Sequence, residues 1–225
     1  MSLQEKLSAF KHRFESGQPP FEGVPAAAHE SMHRATTTLV ASGAADRIPR
    51  SGIAPGFALK DADGKIVTLE ESLATGPIVL AFYRGIFCPY CNLDLQELES
   101  YATAIRGTDT NILAITPQTG ANSRKLIAQH RLSFPILSDP GNEVAARYGL
   151  RYSMPEHLIE TYRQLGVDLA VINGENSWTL PMPARFVIDR SGRIRYAEAS
   201  ADYTRRPEPR ELLPILEQLH SERAA

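Results

Sequence analysis

Val79-Leu80-Ala81-Phe82-Tyr83-Arg84-Gly85-Ile86-Phe87-Cys88-Pro89-Tyr90-Cys91-Asn92 contains both cysteines of the 225-residue chain. Residues 78–83, Ile-Val-Leu-Ala-Phe-Tyr, read as a buried strand. Pro89 suits the first turn of a helix, where its missing N–H is not needed. That helix carries Leu95, Leu98, Tyr101 and Ile105 on one face. Two thiols spaced i,i+3 at a helix start make a reactive dithiol rather than an inert core pair. The unpaired N–H groups and the helix dipole favour a thiolate at Cys88, which makes it the nucleophile. Cys91 lies on the same face and can close a disulfide with it at little backbone cost.

Strands and helices alternate around this stretch. A hairpin pairs 57–59 with 66–69 through the turn residues Asp61-Ala62-Asp63-Gly64. A strand at 112–116, a helix at 121–131, a short strand at 134–137 and a helix at 141–148 follow the dithiol helix. A further helix runs from Pro155 to about Leu165, and a loop continues through Trp178. The strand 185–188 turns at Arg190-Ser191-Gly192 into 193–196, and a helix at 210–220 closes the chain with Pro214 in its first turn. The pattern implies an α/β fold with a mixed central sheet flanked by helices. It is too short in comparable units for a barrel.

Ahead of this body lie two helices. Residues 3–15 place Leu3, Leu7, Phe10 and Phe14 on one stripe, and a second helix spans roughly 25–42. The expected division is an N-terminal helical extension, 1–48, and a main domain, 49–225. The apolar stripe must be covered, by the main domain or by a second subunit in a homodimer, because a short isolated helix is marginal in water. His29 and His33 have metal-ligand spacing, but without a third ligand they read as an ordinary helical pair.

Composition excludes several function classes. Lys plus Arg is 24 and Asp plus Glu is 26, and the net charge of −2 gives no long-range attraction for nucleic acid or an anionic membrane. There is no apolar run long enough for a membrane span and no signal-like start, so a soluble, cytoplasmic protein is expected. A zinc site would need about two further ligands near the cysteines, so no metal is expected.

Around the thiols, Arg84 reads two ways: as a group stabilising the thiolate or the oxygen anion leaving a peroxide, or as an exposed cation at a strand end. Tyr83 reads as packing before it reads as a hydrogen-bond donor, and Tyr90 as the rim of the motif. Far along the chain, Met182-Pro183-Ala184 enters the strand at 185. A cis Pro183 there would leave its preceding carbonyl free for an extended substrate. The bland reading is a proline kept out of a strand interior.

Cys88-Pro89-Tyr90-Cys91 between a strand and a helix resembles the thioredoxin superfamily, especially glutaredoxin-type dithiols. With Ala54-Pro55-Gly56-Phe57, Phe82-Tyr83-Arg84-Gly85, Pro183-Ala184-Arg185-Phe186-Val187-Ile188-Asp189 and Asp202-Tyr203-Thr204-Arg205-Arg206, it resembles the peroxiredoxin-like branch of the alkyl hydroperoxide reductase and thiol-specific antioxidant (AhpC/TSA) family over about residues 45–221. The resemblance implies a thioredoxin-like fold and a thiol-dependent peroxidase acting on hydrogen peroxide or organic hydroperoxides. Cys88 would be the peroxidatic cysteine and Cys91 a resolving cysteine, with a sulfenic acid on Cys88 condensing with Cys91. Thioredoxin, glutaredoxin or glutathione would reset the disulfide, with no cofactor bound. Pro183 matches the cis-proline of thioredoxin-like proteins. Tyr83, Gly85, Phe87, Pro89, Tyr90, Met182, Pro183 and Arg185 are the substrate-site candidates beside Cys88, Cys91 and Arg84.

The chain also departs from the family pattern. Gly85 stands where a Thr or Ser is usual and Ala81 where a proline is usual. Pro183 occupies the place of a strand arginine, with Arg185 two residues on and Arg84 as the candidate substitutes. Two other readings stay open: a disulfide oxidoreductase using the same dithiol, and a redox sensor or partner-binding protein.

Overall fold

The computed structural model describes residues 1–224. Its axis is β3 (Ile78–Phe82), buried along its whole length. Ile78, Leu80 and Phe82 enter one core and Val79, Ala81 and then Tyr83 enter the other, the two-residue period of a strand covered on both faces. β4 (Asn111–Thr116) pairs parallel to β3, and β8 (Ala184–Ile188) pairs antiparallel on its other side with Ala81 opposite Arg185. β5 (Ile136–Ser138), β1 (Ala58–Asp61) and β2 (Ile66–Thr68) extend one edge, and β9 (Ile194–Ala199) the other. The seven-stranded order is β2-β1-β5-β4-β3-β8-β9.

The first core lies under α4 (Pro89–Ser100), α5 (Ala102–Arg106), α6 (Gly120–His130) and α10 (Leu213–Ala224). The opposite core is covered by α3 (Leu69–Thr75) and α7 (Glu143–Arg147). The units β3–α4–β4 and β8–β9–α10 give the thioredoxin-like arrangement expected from the dithiol motif. No described helix is long and apolar enough to cross a membrane.

Several elements differ from the sequence reading. The dithiol helix is interrupted at Tyr101, whose ψ of −2° divides α4 from α5. α3 starts where the hairpin strand was expected to continue, because the Thr68 hydroxyl accepts the Glu71 N–H at 3.1 Å and caps a helix. β6 (Arg151–Ser153) and β7 (Thr179–Pro181) form a separate two-stranded sheet. Each is short, and Tyr152 finds its partner Leu180 only through tertiary folding. The stretch read as loop after α8 (Glu156–Gln164) contains α9 (Leu169–Asn173), capped by Asp168. A third apolar cluster, including Leu158, Tyr162 and Trp178, joins these elements.

Both N-terminal helices pack on the body. α1 (Leu3–Glu15) begins with a reciprocal cap, Ser2 Oγ accepting from Glu5 N–H and Glu5 accepting from Ser2 N–H. Glu208 accepts the next free N–H groups, those of Leu3 and Gln4, at 3.1 and 3.0 Å. Leu3 and Leu7 are fully buried in the same core as Cys91. α2 (Ala26–Ala41) is tied to α8 by Ser31, which donates to the His157 carbonyl and accepts from Thr161. His33 pairs with Glu15 at 3.2 Å and His29 packs edge-on against Phe14, so the two histidines serve the helix packing.

Leu7→Ala is expected to lower unfolding free energy by about 2–5 kcal/mol, the usual cost of emptying a leucine site in a core. Urea denaturation followed by circular dichroism measures this, and an unchanged midpoint would show that α1 does not belong to the cooperative core.

Candidate active site

Cys88 is the N-cap of α4 and Cys91 lies in its first turn, so the helix places both sulfurs at its positive end. Both thiols are free and buried, at 2% and 0% exposure. The loop leading to them is held from two sides. Gln118, just beyond β4, accepts the Ile86 N–H at 2.7 Å through Oε1 and donates through Nε2 to the Tyr83 hydroxyl at 3.1 Å. Asn92 Nδ2 donates to the Ile86 carbonyl at 3.0 Å. Gly85 has φ +140°, and a Cβ there would lie 3.0 Å from the Phe87 ring. That backbone disfavours a Thr or Ser at this position: a side chain would be strained at this φ and would press on the Phe87 ring.

Arg84 is 1% exposed, which excludes the reading of an exposed strand-end cation. Its guanidinium lies 4.1 Å from the Tyr203 ring centroid, with Phe87 and Tyr162 further round it. Nη1 points at Cys88 Sγ, 3.8 Å away, and Nη2 donates to the Tyr162 hydroxyl. The Arg84 backbone N–H faces Cys91 Sγ at 3.5 Å. A second guanidinium, Arg206, donates to Cys91 Sγ at 3.2 Å. Asp94 holds Arg206 at 3.4 Å and Arg185 at 2.6 Å, one carboxylate between two buried cations.

Burial by itself pushes the Cys88 thiol up. The hydrogen bond from Cys91 and the charges of Arg84 and Arg206 outweigh that cost and bring its pKa down to about 5. Burial, the hydrogen bond to Cys88 and the Cys88 charge push Cys91 the other way, well above the ordinary thiol value. The pair therefore shares one negative charge near neutrality, carried by Cys88. Burial also lifts Tyr162 to about 12, so its hydroxyl stays neutral beside Arg84.

A cavity of about 150 Å³ opens onto Cys88. Phe87, Pro89 and Tyr90 line it as the sequence reading expects, and Arg84 is its one charged lining arginine. Other expectations are corrected. Among the described residues the cis peptide bond is Pro19–Pro20, so Pro183 is trans. Its own carbonyl, distinct from the Met182 carbonyl that precedes it, accepts the Ser200 N–H at 3.0 Å. Met182 is buried in the core on the far side of the sheet from the cysteines. Arg185 donates to Asp94 and to the Pro207 carbonyl at 3.1 Å, so it braces the ion-pair network rather than replacing a peroxide-binding arginine. Tyr83 is packed in the core and accepts from Gln118, outside the cavity lining.

Asp94, Gln118 and Tyr162 were not singled out in the sequence, and Arg206 entered it only as the end of the Asp202–Arg206 segment, with no role assigned. Asp94 alone left a local signal, an acidic residue three positions after Cys91 within a buried helical stripe. The N-terminal Phe10, Phe14 and Phe21 also line the cavity.

The profile of the AhpC/TSA family matches residues 51–197, and the chain belongs to that family. It is 26% identical over 163 residues to a chloroplastic peroxiredoxin Q of Triticum aestivum, an alignment covering 72% of this chain and 63% of that protein. Alkyl hydroperoxide reductase E of Mycobacterium tuberculosis is 29% identical over 147 residues, covering 64% and 81%. The chain thus spans about three-fifths of the length of the peroxiredoxin Q relatives from wheat and rice. Among solved structures, peroxidoxin BcpB from Mycobacterium tuberculosis superposes with a TM-score of 0.60 at 20% identity, covering 76% of this chain and 98% of that one. Mycobacterium tuberculosis AhpC gives 0.58 at 18% identity, covering 78% and 94%.

Arg84→Met is expected to raise the Cys88 pKa above about 5. If the thiol then titrates near about 7, its alkylation by iodoacetamide at about pH 6 should be about tenfold slower, in proportion to the lost thiolate. A pH–rate profile unchanged from wild type would remove Arg84 from the thiolate site.

Proposed function

We propose that this protein is a thiol-dependent peroxidase that reduces hydrogen peroxide or organic hydroperoxides through Cys88 and Cys91. The observation that carries the reading is the division of charge between the two sulfurs: a Cys88 thiolate facing the cavity and a neutral Cys91 beside it. Family membership over residues 51–197 supports it.

In the first step the Cys88 thiolate attacks one peroxide oxygen, the O–O bond breaks, and the other oxygen leaves as hydroxide or alkoxide. Arg84, already directed at the sulfur, offsets the negative charge as it moves onto the leaving oxygen, which takes a proton from water. Cys88 is left as a sulfenic acid. Cys91, held three residues away on the same helix, gives up its proton, attacks the sulfenic sulfur and expels water, closing the Cys88–Cys91 disulfide. Arg206 beside Cys91 favours the thiolate as that proton leaves.

Thioredoxin, glutaredoxin or glutathione would supply the two electrons that restore both thiols. Burial of both sulfurs favours a small oxidant over direct exchange with a protein disulfide, because a peroxide fits the cavity without opening the site. The reductant needs the Cys88–Cys91 turn brought to the cavity mouth.

One equivalent of hydrogen peroxide added to reduced protein is expected to consume both thiols and leave one intramolecular disulfide, read by thiol counting and intact mass. Cys88→Ser should abolish the reaction, and Cys91→Ser should stop it at a trappable sulfenic acid. Thiols that persist in peroxide while the protein rapidly reduces insulin would contradict the peroxidase reading in favour of a disulfide oxidoreductase.

A further inference from the structure

Much of the Cys88 cavity is built by residues outside the segment that matches the family, 51–197. Phe10 and Phe14 come from α1, Phe21 from the turn after it, and Tyr203 from the chain beyond β9. The rings form a connected set. Phe21 meets Phe10 and Phe14 edge-on at 5.4 and 5.3 Å, Phe10 meets Tyr90 at 5.0 Å, and Tyr90 meets Tyr203 at 5.5 Å. Tyr203 is the ring stacked on Arg84. The N-terminal wall is therefore tied through ring contacts to the guanidinium at the sulfur.

The cavity's size and polarity narrow what it takes. Its volume of about 150 Å³ matches that of a dry, apolar protein cavity able to admit benzene. Hydrogen peroxide would leave such a space unfilled, whereas one ring or a short branched alkyl group would fill it. On the other side of Phe14 lies a polar recess containing Lys11, His33 and Glu15. Glu15 lies 3.9 Å from Lys11 and 3.2 Å from His33, and Asp202 lines the same recess, so the Lys11 charge is already matched and an anionic head group meets carboxylates there.

We propose that Phe10, Phe14 and Phe21 are specificity-determining residues, forming the wall against which the apolar group of a compact, uncharged organic hydroperoxide packs while its peroxide oxygens reach Cys88. This assignment rests on the peroxidase reading above. The chain thereby uses an element outside the family-matched region to select among hydroperoxides.

The test is the single-turnover rate constant of reduced protein with cumene hydroperoxide, hydrogen peroxide and a long-chain fatty-acid hydroperoxide. Wild type should react fastest with cumene hydroperoxide. In Phe14→Ala and Phe21→Ala the ratio of cumene hydroperoxide to hydrogen peroxide rate constants should fall about tenfold, as expected when an apolar pocket loses part of its contact with a substrate group. Leu165→Trp, which narrows the cavity from the end of α8 without removing an N-terminal ring, should lower the same ratio even if an alanine variant proves unstable. An unchanged ratio in the folded variants, or a faster fatty-acid hydroperoxide in wild type, would overturn the assignment while leaving the peroxidase reading intact. Failure of wild-type Cys88 to react with any of the three peroxides would overturn both.

Discussion

Positive charge buried around two sulfurs is the constraint on which the site and much of its surroundings depend. Arg84, Arg185 and Arg206 are 1%, 1% and 6% exposed, and their ion pairs among the described residues run to one carboxylate, Asp94. Taking a guanidinium out of water costs several kcal/mol unless charges and dipoles replace the lost hydration. Asp94 meets that need for Arg185 and Arg206, and aromatic faces with the Tyr162 hydroxyl meet part of it for Arg84. The Cys88 thiolate supplies the next negative charge. The depressed Cys88 pKa and the burial of the arginines are thus two sides of one electrostatic arrangement. Its members come from the end of β3, from α4, from β8 and from the segment after β9, so the fold must close before the arrangement exists.

That origin explains what the sequence disclosed and what it did not. The apolar run before Arg84, Pro89 at the helix start and the i,i+3 cysteines are local signals, and they place strand, dithiol and helix correctly. Arg206 lies 115 residues from Cys91 and Gln118 lies 32 from Ile86, contacts that no periodicity or turn rule reports. Pro183 shows the opposite failure. Its position before a strand suggested a cis bond by resemblance, but here the bond is trans. Gly85 is instructive too: its departure from the family pattern goes with a positive φ and a nearby Phe87 ring, which disfavour a Thr or Ser there.

The helices before residue 50 have a comparable position between legible and hidden. Their amphipathic stripe is plain in the sequence, and Leu3 and Leu7 meet the expectation by burying against α4 within the same chain. What the stripe could not show is that its outer members, Phe10 and Phe14, pass beyond the core and reach the reactive cysteine's cavity. A single amphipathic helix therefore contributes both to stability and to the wall of the site. The backbone ties at Glu208 connect its start to the chain segment that follows Arg206.

The central claim is that the two sulfurs divide one charge, with Cys88 as thiolate and Cys91 as thiol. It is tested most directly by following the ¹³Cβ chemical shifts of both cysteines in the reduced protein as pH is varied. Because the folded Cys88 pKa is depressed, its resonance should titrate near pH 5 and report the charged form above it, while Cys91 should remain protonated past the ordinary thiol value of about 8.5. A Cys88 resonance that titrates near about 8.5, or a Cys91 that ionises first, would contradict the account.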